Sequence, residues 1–228
     1  MSESWSLDVL RTHAETLGAQ RDALVEVVDS IGEYVDIFLY HFASARDAMK
    51  GLVYDDDPTG AKNLQYIFGT ADKQIEFKRA KIRSQAHIVA VANTTRALYD
   101  VFSHLVNGFV LENALPTAAC DIRRAAERVP PSGLKQELDE LLKSYWFDYL
   151  SAFTNVVKHR KFVRQGFHVA FDGSPPGVRI QGFEYNGKTF AEYAANEFLV
   201  GVLEVKNRVV ACGCALNSTV PSFAHESM

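Results

Sequence analysis

From Ser6 to about Val53 apolar residues return at helical spacing: Leu7, Leu10, Leu17, Leu24, Val27, Val28 and Ile31, then Val35, Phe38, Leu39 and Phe42. Gly32 either separates two helices here or weakens one long one. Asp55-Asp56-Asp57-Pro58-Thr59-Gly60 reads as a turn, because Pro keeps its predecessor out of helix and Gly loosens the exit. Its aspartates lack the spacing and closing Glu of a calcium loop, which makes it a solvated turn. Residues 61–83 predict a helix with a wet, basic face, and 85–110 the most apolar helix of the chain. A short helix follows from Cys120 to Arg128 and stops at Pro130-Pro131. Ser132 can cap another that runs to about Val163 on Leu134, Leu138, Leu141, Leu142, Tyr145, Tyr149, Phe153 and Val156.

After Gly166 the period changes. Phe167–Phe171 and Val178–Phe183 are short extended runs around a Gly/Pro loop, which predicts a β-hairpin. Tyr185-Asn186-Gly187-Lys188 turns the chain again. Thr189-Phe190-Ala191-Glu192 matches a capping box, so a final helix is expected from Phe190 towards Cys212. Two strands alone bury too little surface to stand apart from the helices. The expected fold is therefore mainly α: one domain over 1–228, an up-and-down helical bundle at about 6–165, a small C-terminal β-hairpin at about 166–185 and a final helix at about 190–214.

Composition narrows the partners. The 228 residues carry 24 Lys and Arg against 28 Asp and Glu, a net charge of −4, which excludes a surface coated in positive charge but leaves room for a local basic patch. The first residues lack the basic start and apolar core of a signal peptide. The membrane-like stretch Ser84–Leu111 is interrupted by Asn93, Arg96, Asp100, His104 and Asn107, so no membrane partner is expected. Cys120, Cys212 and Cys214 make neither a disulfide framework nor a zinc set, and are expected to be reduced thiols in a cytoplasmic protein. No metal-ligand spacing or glycine-rich phosphate loop is present, and no cofactor is expected.

Two polar lines could carry chemistry. At about 100° per residue, Asn93, Arg96, Asp100, His104 and Asn107 share a sector of roughly 80° on the 85–110 helix. They form either a thin solvent-facing strip or the wall of an interior cleft; unlike most surface strips, this one has no Lys or Glu. On the later helix Asp148, Asn155 and His159 line one border of the apolar face. Lys158, Arg160, Lys161 and Arg164 crowd its end, where cations favour the free carbonyls.

The run Phe153-Thr154-Asn155-Val156-Val157-Lys158-His159-Arg160 resembles the signature of HEPN-type helical domains, an Arg followed after four to six residues by His on a late helix. The resemblance implies a bundle of four or five helices and, in active members, a homodimer that pairs Arg and His to cut RNA without a metal. His159 matches the motif His and Asn155 the polar residue after the Arg. The Arg itself is missing, since Ala152, Phe153 and Thr154 occupy its positions. That removes the guanidinium that offsets phosphate charge in the transition state.

Three functions follow as expectations. The first is a catalytically degenerate HEPN-like protein that binds RNA or a nucleotide, with Lys158, Arg160, Lys161, Arg164 and His104 as binding residues. The second is a metal-independent endoribonuclease using His159, Asn155, Arg96 and Asp100. The third is a helical dimer or small-molecule binder with no nucleic-acid role.

Overall fold

The computed structural model describes residues 5–52, 60–169 and 176–220. The expected turn over 55–59, the loop residues 172–175 and the tail from Pro221 lie outside the described residues. The protein is mainly α, with eight α-helices and five short antiparallel strands among the described residues.

α1 (Leu7–Ala14) is capped by Ser6, whose Oγ accepts from the Val9 amide at 3.4 Å. The chain turns through Gly18, at φ 58°, into α2 (Arg21–Asp47). The break between these helices therefore falls at 15–20, and α2 passes Gly32 unbroken. A glycine inside a helix costs only about 1 kcal/mol, which 27 residues absorb. α3 (Ala61–Phe68) stops at the extended Gly69.

The helix expected over 61–83 thus breaks at Gly69, and its second part joins the one expected over 85–110 in α4 (Ala71–Phe109), a single helix of 39 residues. No Pro or Gly lies between Ala71 and Asn107, so the shift in polarity near Ser84 changes exposure and not backbone. α5 (Ile122–Arg128) starts at Asp121, whose Oδ1 accepts from the Arg123 and Arg124 amides, both at 3.0 Å.

The helix expected from Ser132 to Val163 is instead two, α6 (Gly133–Lys143) and α7 (Tyr145–His159). Ser144 between them is extended (φ −62°, ψ 132°), and its Oγ donates to Glu204 Oε1 at 3.0 Å.

The predicted hairpin forms from β1 (Gln165–His168) and β2 (Gly177–Ile180), with Phe167 opposite Val178. β3 (Phe183–Tyr185) and β4 (Lys188–Phe190) make a second hairpin, turned by Asn186 and Gly187 at φ 50° and 77°. β5 (Tyr193–Ala194) adds a third strand beside β2. The final helix, α8 (Ala195–Thr219), begins five residues later than the capping-box reading placed it. Thr189 and Phe190 are in β4, and Glu197 provides the cap by accepting from the Ala194 amide at 2.8 Å.

The chain divides into two compact units. One comprises residues up to Ile37, Thr94–Asp148 and the chain from Leu203. Its core includes Leu10, Ile31, Leu98, Phe102, Leu105 and Leu138, all fully buried. Trp5 meets Phe102 edge-on at 5.6 Å and also lies against Gly213 of α8. The other unit is Phe38–Asn93 with Tyr149–Val202. There the buried Tyr149 ring touches Phe183, Phe190 and Tyr193 at 5.2, 5.6 and 5.4 Å, while its hydroxyl donates to the Ala191 carbonyl at 3.0 Å. In the same unit His41 of α2 and His87 of α4 share a hydrogen bond between their Nδ1 atoms, 2.9 Å apart.

Two predictions follow from this packing. A Cβ on Gly213 would sit 2.1 Å from Trp5 Cδ2, so Gly213→Ala is expected to cost about 1–3 kcal/mol in urea unfolding. Gly133→Ala, where a Cβ meets nothing within 4 Å, should cost nothing. Burial and then the neighbouring His87 push the His41 ring below its usual value of 6.5, and burial pushes His13 the same way. The unfolded chain then takes up protons first, so stability present at pH 7 is lost as pH falls through and below 6.5. The melting temperature of His41→Gln should fall less steeply between pH 7 and 5 than that of the wild type.

Candidate functional site

The residues singled out by sequence divide between the units. Arg96, Asp100 and His104 belong to the first; Asn155, Lys158, His159, Arg160, Lys161 and Arg164 belong to the second.

In the first unit Arg96 and Asp100 form an i,i+4 ion pair at 3.5 Å, both side chains partly open to solvent. His104 is half-buried one turn further on, close enough to act on Asp100. Burial raises the Asp100 carboxyl above its usual range, and the opposing pull of Arg96 and His104 does not cancel it. The other two members of the polar sector have separate duties. Asn107 is buried and clamps the chain after α4, donating to the Leu115 carbonyl and accepting from its amide, both at 3.0 Å. Asn93 is exposed, lies in the second unit and donates to Val89 of its own helix at 3.0 Å.

In the second unit, the end of α7 gathers the cations. The Arg160 and Lys161 amides both close on the Val156 carbonyl, at 2.9 and 3.0 Å, and the chain then leaves extended towards β1. Lys158, His159, Arg160, Lys161 and Arg164 are all exposed, while Val163 between them is buried and pins the segment down. No Asp or Glu occurs between Asp148 and Asp172, so this run has no carboxylate of its own to neutralise it.

Arg160 is held in place by the second hairpin. Its Nη2 donates to Asn186 Oδ1 at 2.9 Å, and its guanidinium lies over the Tyr185 ring, 4.6 Å from the centroid. Sequence reasoning missed Tyr185 and Asn186. The Asn186-Gly187 turn was legible, but nothing in the local pattern ties it to a helix end 26 residues earlier. Asn155 is half-buried and spends its amide on the Ser151 carbonyl of its own helix at 2.9 Å. His159 has no hydrogen-bond partner among the described residues that would orient its ring.

Among the described residues no three His, Cys, Asp or Glu side chains are grouped to hold a metal ion, and no helix is long and apolar enough to cross a membrane. Compared with protein-family models, curated proteins and solved structures, the chain gives no match.

Asp100 can be tested directly. Its carboxyl ordinarily titrates near 3.8, and with the folded value raised the folded chain holds the proton more tightly. Wild-type stability from this group therefore falls as pH rises from 3.8 through the raised value, and the cost is complete at neutral pH. Asp100→Asn is expected to melt at or above the wild-type temperature at pH 7. The difference should close as pH drops below 3.8. A variant melting below wild type at pH 7 would mean that the Arg96 pair outweighs the burial.

Proposed function

We propose that this chain is a HEPN-like protein that binds RNA without cutting it, using the end of α7 to hold the phosphate backbone. The observation that carries the reading is the exposed, carboxylate-free group Lys158, His159, Arg160, Lys161 and Arg164, with Arg160 already fixed by Tyr185 and Asn186. Phosphate contact needs donors of positive charge facing solvent, and a guanidinium that is ordered beforehand loses less entropy on binding. Tyr185 can also offer a ring face to an unpaired base.

Cleavage asks for more than this group supplies. A general base needs a partner to orient it, which His159 lacks among the described residues, and the developing charge needs a donor at the place of the motif Arg, where Ala152, Phe153 and Thr154 stand. The resemblance also carries a homodimer and a cytoplasmic setting with it, the latter in keeping with three free thiols.

The test is fluorescence anisotropy with a labelled single-stranded RNA from 50 to 200 mM salt. Affinity should drop steeply with salt, and each of Lys158→Ala, Arg160→Ala and Lys161→Ala should reduce the log–log slope by about 0.7. Binding that is flat in salt, or equal in all three variants, would dismiss the reading. Cutting in EDTA that disappears in His159→Ala would replace it with the nuclease.

A further inference from the structure

A second basic site lies elsewhere in the Phe38–Asn93 and Tyr149–Val202 unit. A cavity of about 300 Å³ opens there, with a wall built from several separate elements. Arg46 comes from the end of α2, Lys50 from the turn after it, Ser84 from α4 and Arg179 from β2; Ala195 and Asn196 are the first two residues of α8.

Three cations thus face one hollow, and none of its lining residues is a carboxylate among the described residues. Asp47 and Glu192, both outside the lining, hold two of the cations in position. Arg46 donates from Nε and Nη2 to Asp47 at 2.9 and 3.2 Å, and Arg179 Nη1 is 3.7 Å from Glu192 Oε1.

One buried polar atom at this wall has no partner among the described residues. Arg179 Nε is buried without a hydrogen bond, an expense that folded chains normally avoid. Ser84, also at this wall, is 1% exposed. The opening turn of α8 adds backbone N–H groups and the positive end of a 25-residue helix. Glu197 satisfies the Ala194 amide and not those of the next two residues.

We propose that this cavity binds a phosphate-bearing small molecule, with Arg46, Lys50, Arg179 and the α8 amides around the phosphate. Its volume is at the lower end of ordinary ligand pockets and suits inorganic phosphate or a single nucleotide, not a polymer strand. The site shares no residue with the α7 end, so it stands or falls apart from the RNA reading.

The full chain would be titrated with inorganic phosphate and, separately, with 5′-AMP at constant ionic strength, read by calorimetry and by thermal shift. Saturable binding of at least one of them is expected. Lys50→Gln and Arg179→Gln should each weaken it by about ten- to a hundredfold, the worth of one hydrogen bond to a charged group. Lys50 is exposed, so its substitution leaves the core intact even if Arg179→Gln unfolds. Combined Lys158→Ala, Arg160→Ala and Lys161→Ala should leave the binding unchanged. Tighter binding of 5′-AMP would identify a nucleotide site, and equal or tighter binding of phosphate an inorganic one. No saturable binding of either probe, or equal affinity in Lys50→Gln, would overturn the proposal.

Discussion

The second hairpin and the strand after it are organised around one side chain, Tyr149. Five strands of two to four residues cannot hold themselves together in water, because each buries too little apolar surface to offset its lost backbone freedom. Tyr149 anchors three of them directly, and β5 pairs in turn with β2. Its ring packs against one residue from each of β3, β4 and β5, and its hydroxyl satisfies a carbonyl in the link from β4 to β5. An aromatic ring with a polar tip suits this place, since a Phe there would leave the Ala191 carbonyl unpaired.

That anchoring reaches both basic sites. The hairpin seated on Tyr149 carries Tyr185 and Asn186 at its turn, and these hold the Arg160 guanidinium at the end of α7. The three-stranded sheet places Arg179 at the cavity wall, and β5 leads directly into the first turn of α8. Arg160 is thus given a fixed position by a neutral ring and amide, while Arg46 and Arg179 are held by Asp47 and Glu192. The protein can in this way keep an overall net charge of −4 and still present two concentrated positive surfaces.

The polar line on α4 shows how a helical pattern can be legible while its meaning is not. The five residues do share one sector, yet Asn107 clamps a loop, Asn93 bonds its own helix, and Arg96 pairs with Asp100. Angular position on a helix says which residues lie together. It does not say whether the next surface is water, a carbonyl or another side chain. The basic end of α7 was easier to read, because a run of cations without carboxylates is repelled from a low-dielectric interior whatever the fold.

By itself the sequence determined the helical class, the apolar stripes, the stop at Pro130-Pro131, the first hairpin, the Asn186-Gly187 turn and the crowding of cations at the end of α7. All of these follow from backbone chemistry or from solvation acting over a few neighbouring residues. Tertiary structure alone decided the break at Ser144, where a hydroxyl reaches Glu204 some 60 residues away. It also decided that Phe190 joins a strand, because burial against Tyr149 and Phe183 outweighs a local capping signal. The gathering of Arg46, Lys50 and Arg179 around one cavity belongs to the same category. Contacts between distant segments set these outcomes, and no short stretch of sequence contains both partners.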